Sequence, residues 1–255
     1  MFQTLQSLLK NGYQTIDDVR GAKLPENFRG YPIILEDNNS ELAKQCMDVC
    51  PTDAISLNPL TINLGKCIFC GECEAVAPKL IHFTNDHLLA TNTEEGLLVR
   101  NGKPKTGIDA DALRKEIHAF FGGSLKLRQI SAAGDNSAEL ELNASGNINF
   151  DLIRYGIDFV ASPRHADGIL ITGPISENMS YAIINAFNAV ANPKVIILCG
   201  TPAISGGLFS GSNAINRNFL KDKHIDLYIP GNPPHPLTIV AGIAEFIHLK
   251  NNKTK

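Results

Sequence analysis

Three cysteines recur at steps of three in Cys67-Ile-Phe-Cys70-Gly-Glu-Cys73, and a Cys50-Pro51 pair stands upstream. Thiolates so spaced can serve one centre only if the chain between them wraps it in a tight loop. Soft, charged sulfur suits iron and takes up the electron density of an iron–sulfur cube, each thiolate reaching a different iron. Structural zinc usually pairs two knuckles of two ligands each. A zinc site or four unrelated thiols are the alternatives, and a run of three with a remote Cys-Pro fits iron–sulfur better. The pattern therefore implies one [4Fe–4S] cluster within residues 46–78, held by Cys50, Cys67, Cys70 and Cys73. Five of the six cysteines lie between Cys46 and Cys73. In a chain without an export signal, such clustering points to metal binding rather than to disulfides.

Charge and hydropathy narrow the function classes. A formal net charge of −3 over 255 residues leaves no basic footprint, so nucleic-acid binding is excluded. No segment reaches the ~18 consecutive apolar residues of a spanning helix. The closest stretch, Ile239 to Ile247, is broken by Gly242 and Glu245. Met1 to Asn11 lacks the apolar run and small-residue cleavage site of a signal peptide. It places Phe2, Leu5, Leu8 and Leu9 on one helical face. Such a helix either packs on its own domain or docks on a partner or a membrane surface.

The chain divides into three stretches: an N-terminal helix and extended arm (1–36), a cysteine-rich part with its linker (37–107), and residues 108–255. Short strands are expected at Ala54–Leu57 and Ile81–Thr84, and Gly96 to Gly107 reads as a hairpin or linker. A helix is expected from an Asp109 cap through Leu113, Ile117 and Phe120 to Gly122-Gly123. Beyond it, Leu125–Ser131, Gly168–Thr172, Lys194–Cys199 and Asp226–Ile229 are short apolar runs bounded by turn residues. Helical patterns separate several of them, notably Met179–Ala191 and Pro236–Leu249. Buried strands alternating with amphipathic helices imply an α/β domain on a largely parallel sheet.

Residues Pro25 to Asp86 resemble a two-cluster bacterial ferredoxin, whose pattern is two C-x2-C-x2-C-x3-C-P runs. The first run has Ser40 and Ala43 where two cysteines are expected, then Cys46 and Cys50-Pro51. The second has Cys67, Cys70 and Cys73, then Ala77-Pro78. In such ferredoxins the fourth ligand of each cluster comes from the Cys-Pro of the other run. One cluster would therefore use Ser40, Ala43, Cys46 and Ala77, and it is lost. The other uses Cys67, Cys70, Cys73 and Cys50, and it is complete. Cys46 is left as a buried thiol. The arm Leu24-Pro-Glu-Asn-Phe-Arg-Gly-Tyr-Pro32 is similar to the lead-in of ferredoxin subunits from respiratory and hydrogenase complexes.

Residues from about Asp109 to Phe246 resemble the small-subunit family shared by formate-hydrogenlyase-type [NiFe] hydrogenases and respiratory complex I (the 20 kDa-like subunit of NADH:quinone oxidoreductase). The matches run in order. Gly134-Asp-Asn-Ser-Ala-Glu139 stands for G-C-x-G-C-E. Ala161-Ser-Pro-Arg-His-Ala-Asp167 is close to S-P-R-x-A-D. Gly200-Thr-Pro-Ala-Ile-Ser-Gly-Gly207 stands for G-x-C-A-x-S-G-G. Pro230-Gly-Asn-Pro-Pro-His-Pro236 stands for P-G-C-P-P-x-P. The family's four cluster cysteines are here Asp135, Ala138, Pro202 and Asn232. Ala138 and Pro202 have no side-chain donor atom, and the oxygens of Asp135 and Asn232 suit hard cations rather than an iron–sulfur cube. Cys199 is expected to be a core thiol rather than a relocated ligand, and His165 and His235 loop or interface histidines. Arg164 either pairs Asp135 or Asp167 or is a solvated loop residue.

The resemblance implies a flavodoxin-like α/β domain, preceded by a small α+β ferredoxin domain. It implies an electron-transfer subunit of a membrane-associated, hydrogenase-like or complex-I-like oxidoreductase, non-catalytic itself, with one [4Fe–4S] cluster and the small-subunit cluster missing. A scaffold subunit of a redox-silent assembly is the alternative. The implied partners are a large subunit and membrane subunits. The implied location is peripheral, on the cytoplasmic face of the inner membrane. No Ser–His–Asp or Cys–His arrangement supports a catalytic residue.

Overall fold

A computed structural model describes residues 2–35, 40–121 and 123–248. Helix α1 spans Phe2–Asn11, and its Leu5, Leu8 and Leu9 are 55%, 63% and 78% exposed. Of the two alternatives for this helix, burial against its own domain is not what the described residues show for these leucines. The Phe2 side chain lies outside the described residues, as do the 36/37 boundary, Gly122 and Leu249.

The cysteine-bearing part combines two small antiparallel sheets with two helices. In chain order it runs β1 (Pro32–Ile34), α2 (Ser40–Val49), β2 (Ile55–Ser56), β3 (Thr61–Asn63), α3 (Glu72–Val76), β4 (Ile81–Phe83) and β5 (Leu98–Arg100). Strand β1 pairs with β4, and β3 lies between β2 and β5. The segment expected to be a hairpin or linker thus contributes β5. Its Val99 is buried opposite Ile62, which a reading of local glycines does not reveal.

The second part begins with α4 (Lys115–Phe121), five residues later than the Asp109 cap suggested. Asp109 instead closes a local turn, its carboxylate accepting from the Asp111 N–H at 2.8 Å. There follow β6 (Leu125–Ser131), α5 (Ser137–Ser145), β7 (Ile157–Phe159), β8 (Gly168–Thr172), α6 (Glu177–Ala189), β9 (Val195–Cys199), α7 (Thr201–Ser205), α8 (Asn218–Lys221), β10 (Leu227–Ile229) and α9 (Pro236–His248). The five strands form one parallel sheet in the order β10-β9-β8-β6-β7. Counted along the chain this is the order 2-1-3-4-5 of flavodoxin-like folds.

Period-two alternation sorts the strand side chains between two layers. Ile169 and Ile171 of β8, with Ile196 and Leu198 of β9, join Ile62, Leu64, Leu80 and Ile81 of the cysteine-bearing part in one apolar cluster. Leu170, Val195, Ile197 and Leu227 face the other way, onto Ile239, Val240, Ile243 and Phe246 of α9. Because both faces are covered, β8 and β9 are buried at every position, and helix α9 is nearly all apolar. The cysteine-bearing part also closes the β10 edge. Thr91 and Tyr228 exchange backbone hydrogen bonds of 3.0 and 2.8 Å.

Candidate metal centre

The four cysteines come from three elements. Cys50 follows α2, Cys67 and Cys70 sit in the loop after β3, and Cys73 lies on α3. The chain turns tightly here, with positive φ at Phe69 (56°) and at Gly71 (86°). A Cβ on Gly71 would stand 3.1 Å from the Arg29 Cδ, so glycine meets both the turn and the packing of that arginine. Arg29 in turn donates from Nε to the Phe69 carbonyl at 2.6 Å.

All four cysteines line one small cavity, together with apolar neighbours such as Ile55, Ile62 and Phe83. Backbone N–H groups are aimed at sulfur: Phe69 at Cys67 Sγ and Ala54 at Cys50 Sγ, each at 3.3 Å. Burial pushes the Cys67 and Cys73 thiols up to about 12. The Phe69 N–H opposes that rise at Cys67, and the nearby Cys46 thiol adds to it at Cys73. Ligation there must displace protons, so metal uptake is coupled to proton release. Among the described residues no three His, Cys, Asp or Glu side chains converge as the ligands of a single ion. A cube spreads its ligands over four irons, around a volume rather than a point. Here Cys50, Cys67, Cys70 and Cys73 line one cavity together, and backbone N–H groups reach two of the four sulfurs. Cys46 is 0% exposed, and its Sγ lies 3.5 Å from the Cys73 carbonyl.

Asp135, Ala138, Pro202 and Asn232 all stand beyond the carboxyl ends of strands, where open α/β sheets place ligands. Asp135 turns on itself. Its carboxylate accepts from Ser137 N at 3.0 Å and Ser137 Oγ at 2.6 Å, which holds it below the usual carboxylate range. Ala138 is buried in the first turn of α5, and Pro202 sits in the first turn of α7. Asn232 belongs to the loop leading into α9 and lines a cavity shared with Cys70.

Protein groups tie these loops together. Arg217 donates to the Ala203 and Ile204 carbonyls at 2.7 Å, to Pro174 at 3.2 Å and to Pro202 at 3.3 Å. Glu139 accepts from Ser131 Oγ at 2.7 Å and Thr172 Oγ1 at 2.6 Å, joining the loops after β6 and β8. Neither Arg217 nor this role of Glu139 is visible in the sequence pattern, because their partners are loop backbones and strand ends. Arg164 is exposed and pairs with neither acid among the described residues; Asp167 accepts from Lys126 N at 2.7 Å instead. Cys199 is 0% exposed at the end of β9, and burial raises its thiol further, with Glu139 adding. His165 is exposed, whereas His235 caps α9 by accepting the Leu237 N–H at 3.1 Å on Nδ1.

The two parts meet at the cysteine loop itself. Thr201 Oγ1, adjacent to Pro202, donates to the Cys67 carbonyl at 2.8 Å. This contact joins the two motif regions across 134 positions of sequence.

Residues 136–246 match the family model described as NADH ubiquinone oxidoreductase, 20 kDa subunit. Relatives agree. Formate hydrogenlyase subunit 7 of Escherichia coli (strain K12) is 34% identical over 125 residues, 49% of this chain and 49% of that protein. A probable membrane-bound hydrogenase subunit, mbhJ, of Pyrococcus furiosus is 29% identical over 124 residues, 49% of this chain and 74% of that one. An NADH-quinone oxidoreductase subunit of Desulfovibrio desulfuricans is 32% identical over 114 residues, 45% of this chain and 62% of that one. The chain thus spans about half the length of the formate hydrogenlyase subunit it matches. Similarity to subunits of hydrogenase and complex-I type therefore covers the second part of the chain. Among the described residues no helix is long and apolar enough to cross a membrane.

Proposed function

We propose that this chain is an iron–sulfur electron-transfer subunit of a membrane-associated, hydrogenase-like or complex-I-like oxidoreductase. It fuses a one-cluster ferredoxin domain to a small-subunit domain that has lost its own cluster. Cys50, Cys67, Cys70 and Cys73 hold one [4Fe–4S] cluster, which would supply one-electron transfer when bound. The observation that carries the reading is that these four cysteines, spaced as a ferredoxin run with a remote Cys-Pro, line one small cavity together. Around it, the Phe69 and Ala54 N–H groups stabilise negative charge on sulfur. The Thr201 bond to Cys67 ties the loop to the domain that resembles the partner-facing subunit.

The chain contributes no catalytic residue. It works with a large subunit and membrane subunits, bound peripherally on the cytoplasmic face of the inner membrane. Anaerobically purified protein is expected to carry about four irons per chain. Cys70→Ser abolishes this content, and Cys46→Ser keeps it. About eight irons, or zinc in their place, would refute the assignment.

A second reading, a scaffold in a redox-silent assembly, is favoured by the loops around Asp135, Ala138, Pro202 and Asn232. Arg217 and Glu139 hold several of them with protein hydrogen bonds alone. Potentiometric titration of the purified assembly separates the two. A reversible one-electron step at the cluster supports transfer, whereas a cluster silent across the accessible range supports the scaffold.

A further inference from the structure

A second cavity, of about 300 Å³, opens beside the cysteine loop and shares Ile68 and Cys70 with the first. Its polar lining comes from three places: Arg29 and the exposed Asn27 of the N-terminal arm, Asn232 and His235 of the loop after β10, and Thr238 in the first turn of α9. Cys70 and Phe28 complete the wall.

The polar groups share one character. The Thr238 hydroxyl is the one buried side-chain nitrogen or oxygen without a hydrogen-bond partner among the described residues, in a residue 1% exposed. A buried hydroxyl left unpaired costs about 1–3 kcal/mol, and Thr238 belongs to the lining of this cavity. Arg29 is fixed by its Nε bond to Phe69 and by its packing over Gly71. Its two terminal nitrogens make no hydrogen bond among the described residues. His235 accepts on Nδ1, so its neutral ring carries the proton on Nε2, and that nitrogen too is unpaired among the described residues. The Asn232 amide makes no side-chain hydrogen bond among them either. No aspartate or glutamate lines the cavity, and the N-terminal end of the α9 dipole adds positive potential. Four unpaired donor groups, one of them a fixed guanidinium, and no carboxylate make a lining suited to an anion. Phe28 and Leu89 add apolar wall to a volume at the small end of ligand cavities.

We propose that this cavity binds a small oxyanion, of phosphate or carboxylate type, adjacent to the Cys70 face of the cysteine loop. Arg29 and Thr238 are its principal contacts. This goes beyond the electron-transfer reading and does not depend on it, because none of the polar groups named is a cluster ligand.

The test is calorimetric titration of the full chain with inorganic phosphate and, separately, with acetate, in a buffer free of other oxyanions. Saturable binding of either at one per chain is expected, and the tighter probe names the head group. Thr238→Val keeps the side-chain shape and removes the unpaired hydroxyl. It should weaken binding at least fivefold while the anion-free melting temperature stays equal or rises and the iron content is unchanged. Arg29→Gln should weaken it at least tenfold. Absence of saturable binding with both probes overturns the proposal. So does a Thr238→Val protein that is stabilised yet binds as the parent does, since the hydroxyl would then be an orphan with no ligand.

Discussion

Arg217→Met keeps much of the side chain's length and removes every donor that ties the loop after β8 to α7. Four carbonyls lose a partner, but they are not equivalent. Pro202 O also accepts from Gly206 N at 2.9 Å and stays satisfied. The Pro174, Ala203 and Ile204 carbonyls have no other donor among the described residues, and Ala203 is fully buried. The Ala203 and Ile204 bonds are short, at 2.7 Å, and the Pro174 bond at 3.2 Å is weaker. A hydrogen bond from a charged donor contributes about 1.5–3 kcal/mol net. The two good bonds set an upper figure of about 6 kcal/mol, to which the weak third adds little. Against this, Arg217 has no carboxylate partner among the described residues, and burial lowers its pKa. Removing it therefore also relieves a desolvation cost, on the order of 2–3 kcal/mol. The expected net loss is about 3 kcal/mol, or a fall in melting temperature of roughly 6–12 °C for a chain of this size. Urea unfolding followed by circular dichroism gives the measurement. Arg217→Lys, which keeps the charge but not the planar fork, should fall between parent and methionine variant. A methionine variant within ~0.5 kcal/mol of the parent, the usual range for inconsequential surface substitutions, would refute the role of Arg217 as the tie between these loops.

Other outcomes follow from single contacts. A Cβ at Gly168 would stand 2.5 Å from the Val195 carbonyl oxygen, so Gly168→Ala should cost about 3 kcal/mol and be read in the same unfolding assay. Removing residues 2–11 should leave the melting temperature within the ~0.5 kcal/mol equivalent of parent, because the described side chains of α1 are exposed throughout. The Asp135 carboxyl is held low by Ser137, so its contribution to stability is present above the unfolded value of about 3.9 and is lost as pH falls through the lower folded value. NMR titration of Ser137→Ala should show the Asp135 pKa moving up toward that unfolded value.

What the sequence determined by itself is local in origin. The steps of three between Cys67, Cys70 and Cys73 put three cysteines within one short segment, two in the loop after β3 and the third on α3. The apolar runs at Leu125–Ser131 and Gly168–Thr172 read as buried strands, and both form over those residues. Ile169, Ile171, Val195, Ile197 and Leu227, expected in the core, are fully buried. Elements whose stability comes from a neighbour were not legible. Strand β7 is three residues at a sheet edge, defined by pairing with β6 rather than by a pattern of its own. Strand β5 exists because β3 supplies its partner, and α4 starts late because Asp109 spends its carboxylate on a turn. The exposure of α1 was undecidable, since an amphipathic face records that burial is favourable but not what buries it. Long-range polar contacts were the least visible. Thr201 reaches Cys67 across 134 positions, and Arg217 reaches Pro174 across 43. A backbone carbonyl carries no residue identity, so no spacing in the sequence can announce such a partner. Only the closing of the parallel sheet, which brings the loops at its carboxyl edge to one place, decides those contacts.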